Sequence, residues 1–324
     1  MIQQPWMDVI VRSKRMEATD IVVLELAHPG GQAMPPFSAG SHIDVEIQPG
    51  LARQYSLCND PANNEHYVIA VLKEADSRGG STFIHDTLKE GDLLRISGPK
   101  NHFALHGEGT RHLLFAGGIG ITPLVCMAER LTRTHTPFEL HYCVRSLDRA
   151  AFQNLLRDPT RGWTAQLHLD SGPPAQKLDV ARSIGAYTEG AHAYVCGPAG
   201  FIGWVLQSAR DAGWPEHALH REYFTPPPAE GRAAPSSTFM VRLASSTMVL
   251  EIPPDRSVMQ VLADAGIELP SSCEQGTCGS CLTRVLEGIP DHRDFYLTDE
   301  ERAANDQFTP CVSRAKTPLL VLDV

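Results

Sequence analysis

The sequence of 324 residues predicts a multidomain fold of α/β and β class. Up to about residue 103, short β-type runs are separated by Gly/Pro turns, which is typical of a small antiparallel barrel or sandwich. From about residue 108, apolar strands alternate with helical stretches, a pattern that predicts a parallel α/β sheet. Four cysteines near the C-terminus then mark a third domain. The predicted boundaries are 1–104, 105–225, a linker at 226–237, and 238–324.

The composition excludes several classes of function. The chain has 38 acidic and 28 basic residues, whereas a nucleic-acid-binding surface is basic. The net charge of −10 is explained equally by solubility and by docking on a basic partner. No apolar run approaches the roughly 18 residues of a membrane span, and no signal-peptide pattern opens the chain. Four of the eight cysteines are scattered singly and four are clustered, as expected for a reducing compartment with a metal site, so we expect a cytoplasmic protein. The charge balance and the short apolar runs predict neither nucleic acid nor membrane as a partner.

The first domain carries two patterns that could bind a phosphate group. R-Q-Y-S-L ends a predicted strand, where Arg53 can pair with a phosphate and Tyr55 can stack on a planar ring. S-R-G-G-S-T leads into a helix, whose N–H groups could bind a phosphate together with the hydroxyls of Ser81 and Thr82. A hairpin arginine and a glycine-rich helix start would explain both patterns without a ligand. The β-type runs predicted here are Asp8–Val11, Ile21–Leu26, His42–Ile47, Tyr67–Val71 and Leu93–Ser97.

The second domain carries two glycine turns. G-G-I-G-I-T-P directly follows the strand H-L-L-F-A, and Pro123 falls at the expected first position of the next helix. The run departs from G-x-G-x-x-G at Thr122, and a tight turn needs glycine for steric reasons alone. C-G-P, from Cys196 to Pro198, ends the strand A-Y-V. Turns at the carboxyl ends of parallel strands flank a ligand crevice, so Cys196 is either a buried small side chain or part of that crevice.

The C-terminal region begins after a Pro/Ala/Ser-rich stretch, T-P-P-P-A-E-G-R-A-A-P-S-S, which predicts a semi-extended linker. F-M-V-R-L and M-V-L-E-I then predict two paired strands. The helix that follows is predicted to start at the N-cap Ser257 and to stop at Gly266.

The four clustered cysteines have the spacing C-x4-C-x2-C with a distant fourth member, which is that of a plant-type [2Fe–2S] cluster. The alternative is a structural zinc site, but such sites usually have two C-x2-C pairs and this chain has one. Gly276 and Gly279 lie between the first three cysteines, where small residues let backbone N–H groups approach sulfur. The predicted ligands are Cys273, Cys278, Cys281 and Cys311.

The order of these motifs resembles the ferredoxin–NADP⁺ reductase superfamily. With the ferredoxin-like C-terminus, the whole chain resembles the family of phthalate dioxygenase reductase and vanillate O-demethylase reductase. R-Q-Y-S-L-C-N-D, F-A-G-G-I-G-I-T-P, L-P-S-S-C-E-Q-G-T-C-G-S-C and D-H-R-D carry the resemblance. It implies an antiparallel flavin-binding β-barrel, a Rossmann-like parallel α/β nucleotide domain and a C-terminal β-grasp ferredoxin domain.

The resemblance also implies which residues meet the cofactors. It implies no catalytic residues beyond three that position cofactors near the flavin and nicotinamide: Thr122, Cys196 and Phe224. The implied FMN contacts are Arg53, Tyr55, Ser56, Val71, Leu72, Lys73, Gly80, Ser81, Thr82, Thr122 and Phe224. The implied NAD contacts are Gly118, Gly120, Pro123, Arg145, Asp170, Cys196, Gly197 and Pro198.

The choice of cofactors follows the family, because the residues themselves do not decide it. No extra aromatic platform for an adenine stands out, which is compatible with FMN in place of FAD. Arg145 and Ser146 could accept the 2′-phosphate of NADPH, whereas Asp148 would repel one. The family implies NADH as the donor.

The implied activity is a conversion of two-electron to one-electron transfer. Hydride would pass from NADH to FMN, and single electrons would pass through the cluster to a separate Rieske-type terminal oxygenase acting on an aromatic acid. The chain is expected to be a monomer and shows no Rieske Cys/His pairs of its own. The alternatives are the same architecture serving another acceptor, such as a ferredoxin, and a redox sensor without turnover.

Overall fold

The computed structural model describes residues 6–48, 51–75, 79–107, 109–226, 237–246 and 248–324. The chain divides into two compact units, 1–224 and 225–324. Most of the predicted linker lies outside the described residues. No helix within the described ranges is long and apolar enough to cross a membrane.

The first unit begins with an antiparallel sheet whose strands lie in the order β4-β3-β6-β1-β2-β5, with β7 beside β3. Apolar residues alternate along these strands, so one face is buried; Leu24, Ile43 and Ile69 are fully buried there. The five predicted β-type runs are confirmed as strands. The elements are β1 (Met7–Ala18), β2 (Ile21–Ala27), β3 (Ser41–Gln48), β4 (Leu51–Ser56), β5 (Tyr67–Leu72), α1 (Gly80–Asp86), β6 (Leu93–Ile96) and β7 (Lys100–Asn101).

A parallel five-stranded sheet completes the first unit, in the order β10-β9-β8-β11-β12. Successive strands run from β8 outwards to one side and then from β11 to the other, so the strand order reverses between β8 and β11, where α/β folds bind ligands. The strands are β8 (Arg111–Gly117), β9 (Phe138–Val144), β10 (Ala165–Leu169), β11 (Ala191–Cys196) and β12 (Leu219–Glu222). The helices are α2 (Ile121–Arg133), α3 (Gln153–Leu156), α4 (Val180–Ile184) and α5 (Ala199–Asp211), with 3-10 turns at Gly118–Gly120, Leu147–Arg149, Pro159–Arg161, Pro174–Gln176 and Glu216–Ala218.

One predicted helix start is shifted. α2 begins at Ile121, directly after the 3-10 turn Gly118–Gly120, so Pro123 is its third residue and not its first. A proline is tolerated at this position because the first four N–H groups of a helix have no partner within the helix.

The antiparallel sheet and the α/β sheet share one core. Ile21, Val23 and Ala70 of the antiparallel sheet pack in the same buried cluster as Ile121 and Leu124 of α2. Burial of apolar surface therefore holds the two parts of the first unit together. The predicted boundary between them, near residue 104, stays a prediction.

The second unit is a mixed sheet in the order β14-β13-β19-β15-β17, in which β13 and β19 are parallel and the other pairs antiparallel. Val258 and Leu262 of α6 pack on it, and Ser257 and Gln260 form a capping box at the predicted start of that helix. The predicted β-grasp domain is confirmed. The elements are β13 (Phe239–Leu243), β14 (Val249–Ile252), α6 (Val258–Asp264), β15 (Thr283–Glu287), β16 (Pro290–Asp291), α7 (Asp299–Ala304), β17 (Gln307–Phe308), β18 (Arg314–Ala315) and β19 (Leu319–Leu322).

Candidate functional site

The two predicted glycine turns meet at the carboxyl ends of β8 and β11. The backbone of Gly120 lies so close to the C-G-P turn that a Cβ on it would be 2.6 Å from Gly197 N and nearer still to the Cys196 carbonyl. A Cβ on Gly117 would be 2.9 Å from the ring of Phe201 and from Pro198 Cδ. Only glycine permits this approach, so the turns build one backbone-lined crevice.

Two helices begin at this crevice with N–H groups to offer. Among the described residues, no side chain caps the start of α2 or of α5, and neither first turn holds an acidic residue. The start of α2 offers few donors, because the Ile121 N–H donates to the carbonyls of Gly118 and Ile119 and Pro123 has no N–H. The uncapped N–H groups of α5 and the positive ends of both helix dipoles favour an anion. The crevice therefore fits the pyrophosphate of a dinucleotide.

The ends of β11 and β12 place Cys196 and Glu222 side by side in register. Cys196 is fully buried, and this burial raises the pKa of its thiol well above the usual value. Glu222 Oε2 has no hydrogen-bond partner among the residues the structure describes, and burial raises the pKa of this carboxyl to about 8. Both groups are therefore protonated near neutral pH. Phe224 follows two residues later and is 40% exposed.

Sequence patterns did not reveal Glu222 or Phe201. In the sequence, Glu222 is a polar residue near the end of a strand, and Phe201 is one of several apolar residues of helix α5, so neither position predicts a site. Only the packing of the two turns shows that these side chains lie at the crevice.

The loop after β9 contains the residues predicted to lie near the ribose of the nicotinamide cofactor. Arg145 and Asp170 are exposed at the ends of β9 and β10. The Ser146 hydroxyl donates to Asp148 Oδ1 at 2.5 Å, so Ser146 and Asp148 are engaged with each other. Ser146 is therefore engaged within the loop, and Arg145 is the exposed side chain that could pair with a 2′-phosphate.

The predicted flavin phosphate residues lie together where β4 meets α1. Gly80 opens α1, and the side chain of Arg53 passes across it: a Cβ on Gly80 would lie 2.7 Å from Arg53 Cγ. Thr82 is exposed, but the Ser81 hydroxyl is buried and accepts the Glu74 N–H at 3.1 Å. Arg53 is thus placed at the helix start as a phosphate site requires.

The flavin ring segment is predicted on β4 and β5. Ser56 and Val71 are buried, and burial raises the pKa of the neighbouring Tyr55 hydroxyl. Lys73 Nζ forms an ion pair with Asp86 at 2.7 Å, and its backbone N–H donates to the Asp20 carbonyl at 2.7 Å, so the charge and the N–H of Lys73 both have partners within the protein. Leu72, immediately before it, is half-buried.

Strand β5 lies against the 3-10 turn Gly118–Gly120, which brings the flavin segment to the nucleotide crevice. Thr122 is buried there, and its hydroxyl donates to the Ile119 carbonyl at 3.0 Å. The predicted FMN and NAD residues of the first unit therefore form one neighbourhood.

The four predicted cluster ligands lie in the second unit as two pairs. Cys281 Sγ and Cys311 Sγ are 3.4 Å apart, and the thiols of Cys273 and Cys278 are hydrogen-bonded to each other. Within the described ranges, no three His, Cys, Asp or Glu side chains gather closely enough to ligate one ion. Two pairs fit a two-iron cluster, in which each iron takes two thiolates, better than a single zinc ion.

The backbone of the cluster loop supplies N–H donors to sulfur. Gln275 N donates to Cys273 Sγ at 3.3 Å, and Ser280 N donates to Cys278 Sγ at 3.4 Å. The hydrogen bond from Cys278, aided by those of backbone N–H groups, lowers the pKa of Cys273, while the same bond and burial raise the pKa of Cys278. The backbone N–H donors to sulfur are the contacts that would stabilise thiolate, the form that binds iron.

A buried carboxylate that the sequence did not single out fixes this loop. Asp294 is fully buried, and its Oδ2 accepts the N–H groups of Tyr296 at 3.1 Å and Leu297 at 2.7 Å. Phe295 N donates to the Gly276 carbonyl at 2.8 Å. The final residue of D-H-R-D thereby holds the 294–297 segment against the cysteine loop.

Comparison with known proteins decides the family. Residues 241–316 match the 2Fe-2S iron-sulfur cluster binding domain. Over 98% of the chain and 99% of the relative, the sequence is 51% identical to vanillate O-demethylase oxidoreductase of Pseudomonas sp. (strain HR199 / DSM 7063). The chain belongs to the family of vanillate O-demethylase oxidoreductases and phthalate dioxygenase reductases.

Solved structures of similar chains agree with the family. Phthalate dioxygenase reductase, a modular structure for electron transfer from pyridine nucleotides to [2Fe–2S], superposes with a TM-score of 0.71 at 39% identity, covering 98% of both chains. An intact type IV self-sufficient cytochrome P450 monooxygenase superposes over the whole of this chain with a TM-score of 0.88 at 35% identity. The chain spans only 42% of that monooxygenase.

Family membership confirms the predicted fold and the prediction of an oxidoreductase with a [2Fe–2S] domain. The individual site residues stay predictions that the geometry supports to different degrees. The geometry supports the paired cysteines and the close approach at Gly120, while the side chains of Arg53, Ser81 and Lys73 all have partners within the protein.

Proposed function

We propose that this chain is the NADH-dependent reductase component of an aromatic-acid oxygenase system, with FMN and a [2Fe–2S] cluster as its cofactors. The proposal rests on the combination of two sites in one chain. The first is a nucleotide crevice formed by two glycine turns beside the flavin segment, and the second is a domain with two cysteine pairs. FMN, when bound, supplies the change from a two-electron donor to one-electron steps.

The residues of the first unit bind and orient the cofactors. The N-termini of α2 and α5 would hold the pyrophosphate, and the narrow approach of Gly120 to Cys196 would fix its depth. Arg53 at the start of α1 would neutralise the flavin phosphate. Phe224, exposed at the crevice edge, would cover the flavin face until nicotinamide replaces it.

No general acid or base is required of the protein at this site. Cys196 and Glu222 are protonated near neutral pH, so neither adds a negative charge beside the nicotinamide. Their part would be to shape an uncharged wall. In the second unit, Cys273, Cys278, Cys281 and Cys311 would hold the cluster, and backbone donors to their sulfurs would raise its potential.

The partner is proposed to be a separate Rieske-type oxygenase of the vanillate type. The support is the 51% identity to a vanillate O-demethylase oxidoreductase, against 39% to the phthalate dioxygenase reductase of Burkholderia cepacia. The similar cytochrome P450 monooxygenase favours an alternative, in which the same architecture serves a haem acceptor. A monomer located in the cytoplasm is also proposed.

Reconstitution separates these partners. The purified holoprotein is mixed with NADH and, in parallel, with vanillate-type and phthalate-type oxygenase components and their aromatic acids. We expect demethylation of vanillate to be the faster reaction; no turnover with either oxygenase, despite NADH-dependent reduction of cytochrome c, would support another acceptor.

Extracted FAD in place of FMN, or preference for NADPH, would overturn the cofactor assignment. Light scattering after size-exclusion chromatography tests the monomer, and cell fractionation tests the location.

A further inference from the structure

The turn between β1 and β2 contacts both predicted cofactor segments of the first unit. Its residues are Thr19 and Asp20, at the tip of the longest hairpin of the antiparallel sheet. On one side, Lys73 N donates to the Asp20 carbonyl at 2.7 Å, where β5 ends in the predicted flavin segment. The other side of the turn faces the loop after β9.

Asp148 is the centre of the contacts with that loop. Thr19 N donates to the Asp148 carbonyl at 2.8 Å, and Thr19 Oγ1 donates to Asp148 Oδ2 at 2.8 Å. The other carboxylate oxygen accepts the Ser146 hydroxyl at 2.5 Å. These two hydroxyls hold the pKa of the Asp148 carboxyl below its usual range, so it is ionised at neutral pH.

Two further contacts join the same elements. Arg149 Nη1 lies 3.3 Å from Asp20 Oδ2, and Phe152 N donates to Glu17 Oε1 at 2.8 Å. Glu17 is also paired with Arg15 on the same strand. Several contacts therefore join the β9 loop to the hairpin, and those of Asp148 lie nearest in sequence to Arg145 and Ser146.

We propose that Thr19 and Asp148 are positioning residues that fix the nucleotide-reading loop, Arg145 and Ser146, relative to the flavin segment at Lys73. The inference rests on the proposed function, because it takes the β9 loop as the place where NADH is read. Neither residue needs to touch a cofactor. Without this bond the β9 loop would have to become ordered when NADH binds, and the free-energy cost of that ordering would weaken the affinity for NADH.

The affinity for NADH tests the bond directly. In stopped-flow reduction of the FMN-loaded protein, Thr19→Val should raise the NADH concentration for half-maximal rate by about 3- to 10-fold, the worth of one hydrogen bond. Asp148→Ala also removes the bond from Ser146 and should raise it by at least as much. The limiting rate should change by less than about twofold, because no bond to the reacting atoms is lost. Thr19→Ser, which keeps the hydroxyl, should behave as wild type.

The double variant distinguishes a positioning role from general loosening. Thr19→Val combined with Asp148→Ala should be no worse than Asp148→Ala alone, since both remove the same bond. Thr160→Val is the matched control: its hydroxyl donates to Asp158 at 2.7 Å, but that bond joins neighbours within one loop. This control should leave half-saturation unchanged.

Three results would overturn the inference: half-saturation of Thr19→Val within about twofold of wild type, additive effects in the double variant, or an equal shift in Thr160→Val. Failure of the proposed function itself would look different, because wild-type protein would then not reduce its flavin with NADH at all.

Discussion

The ring of Tyr296 occupies the space that a side chain on Gly279 would need. A Cβ on Gly279 would lie 2.6 Å from both Cε atoms of that ring. The glycine has a φ of 69°, in the left-handed region, and it lies between Cys278 and Cys281. The tyrosine itself belongs to the segment that Asp294 holds in place. The Tyr296 ring therefore packs directly on the backbone of the cysteine loop at Gly279 and constrains the conformation of that loop.

Replacing this glycine should damage the cluster site. Gly279→Ala should combine left-handed strain of about 1–2 kcal/mol with overpacking of about 1–3 kcal/mol against Tyr296. Gly266→Ala is the control, because Gly266 has a φ of 81° but open space around it. We expect Gly279→Ala to be purified with much less iron per chain than Gly266→Ala, by metal analysis and visible absorbance. Equal iron contents would show that the ring contact has no role.

Arg314 should be a main source of stability in the second unit. The buried guanidinium donates to the carbonyls of Arg256 at 2.8 Å, Pro253 at 2.9 Å and Ser237 at 3.2 Å. Lysine cannot reach these acceptors together, so Arg314→Lys should cost about 2–4 kcal/mol. Loss of cluster absorbance in a urea titration measures this cost. The control Arg284→Lys concerns an exposed ion pair with Asp323 at 3.8 Å and should cost under about 0.5 kcal/mol.

Gly120→Ala should strongly impair productive binding of NADH. Its Cβ would enter the backbone of the C-G-P turn and force the two turns apart. We expect NADH-dependent reduction of the flavin to fall by about tenfold or more, with dithionite reduction unchanged. Gly200→Ala, one residue into α5 with nothing within contact distance, should react at the wild-type rate. Normal NADH kinetics for Gly120→Ala would contradict the crevice.

A stacked histidine cluster should make the first unit labile to acid. His192 Nδ1 and His220 Nε2 lie 3.0 Å apart, and the ring of His106 is 4.7 Å from His192 and 4.6 Å from His220. Burial, with the neighbouring histidines, lowers the pKa of His192 to about 4 and that of His220 to about 3.

The sign of the pH effect follows from these values. The cluster is neutral when folded, so its stability is complete above the unfolded pKa of about 6.5 and is lost as pH falls towards the folded values. The Tm should fall by about 5–10 °C between pH 7.5 and pH 5. Calorimetry of His220→Gln should show a smaller fall, whereas His135→Asn, exposed and outside the cluster, should match wild type. A flat profile in wild type would refute this account of the cluster.

The sequence predicts those parts of the molecule that local patterns determine. The Ser257 helix start, the glycine turn at Gly118–Gly120 and the C-x4-C-x2-C loop depend on neighbours a few residues away, and each is found where the pattern places it, although the helix after the turn begins at Ile121 and not at Pro123. Contacts between distant residues leave no such pattern. The bond from Thr19 to Asp148 joins residues 129 positions apart, and both are exposed polar residues without periodic spacing.

The same reason explains which contacts at the site the sequence does not predict. The Glu74 N–H donates to Ser81 and Asp86 pairs with Lys73, and these partners meet only in the fold. Asp294 is fully buried, and Oε2 of Glu222 is buried without a hydrogen-bond partner among the described residues; both depend on packing between elements.

Electron paramagnetic resonance of the protein after anaerobic addition of NADH tests the central claim most directly. Wild-type protein should lose its flavin absorbance and gain the signal of a reduced [2Fe–2S] cluster. Cys278→Ser, which breaks one of the two cysteine pairs, should lose flavin absorbance at the wild-type rate and show no cluster signal. A wild-type cluster that stays oxidised while the flavin is reduced, or a Cys278→Ser variant whose flavin NADH no longer reduces, would contradict the account.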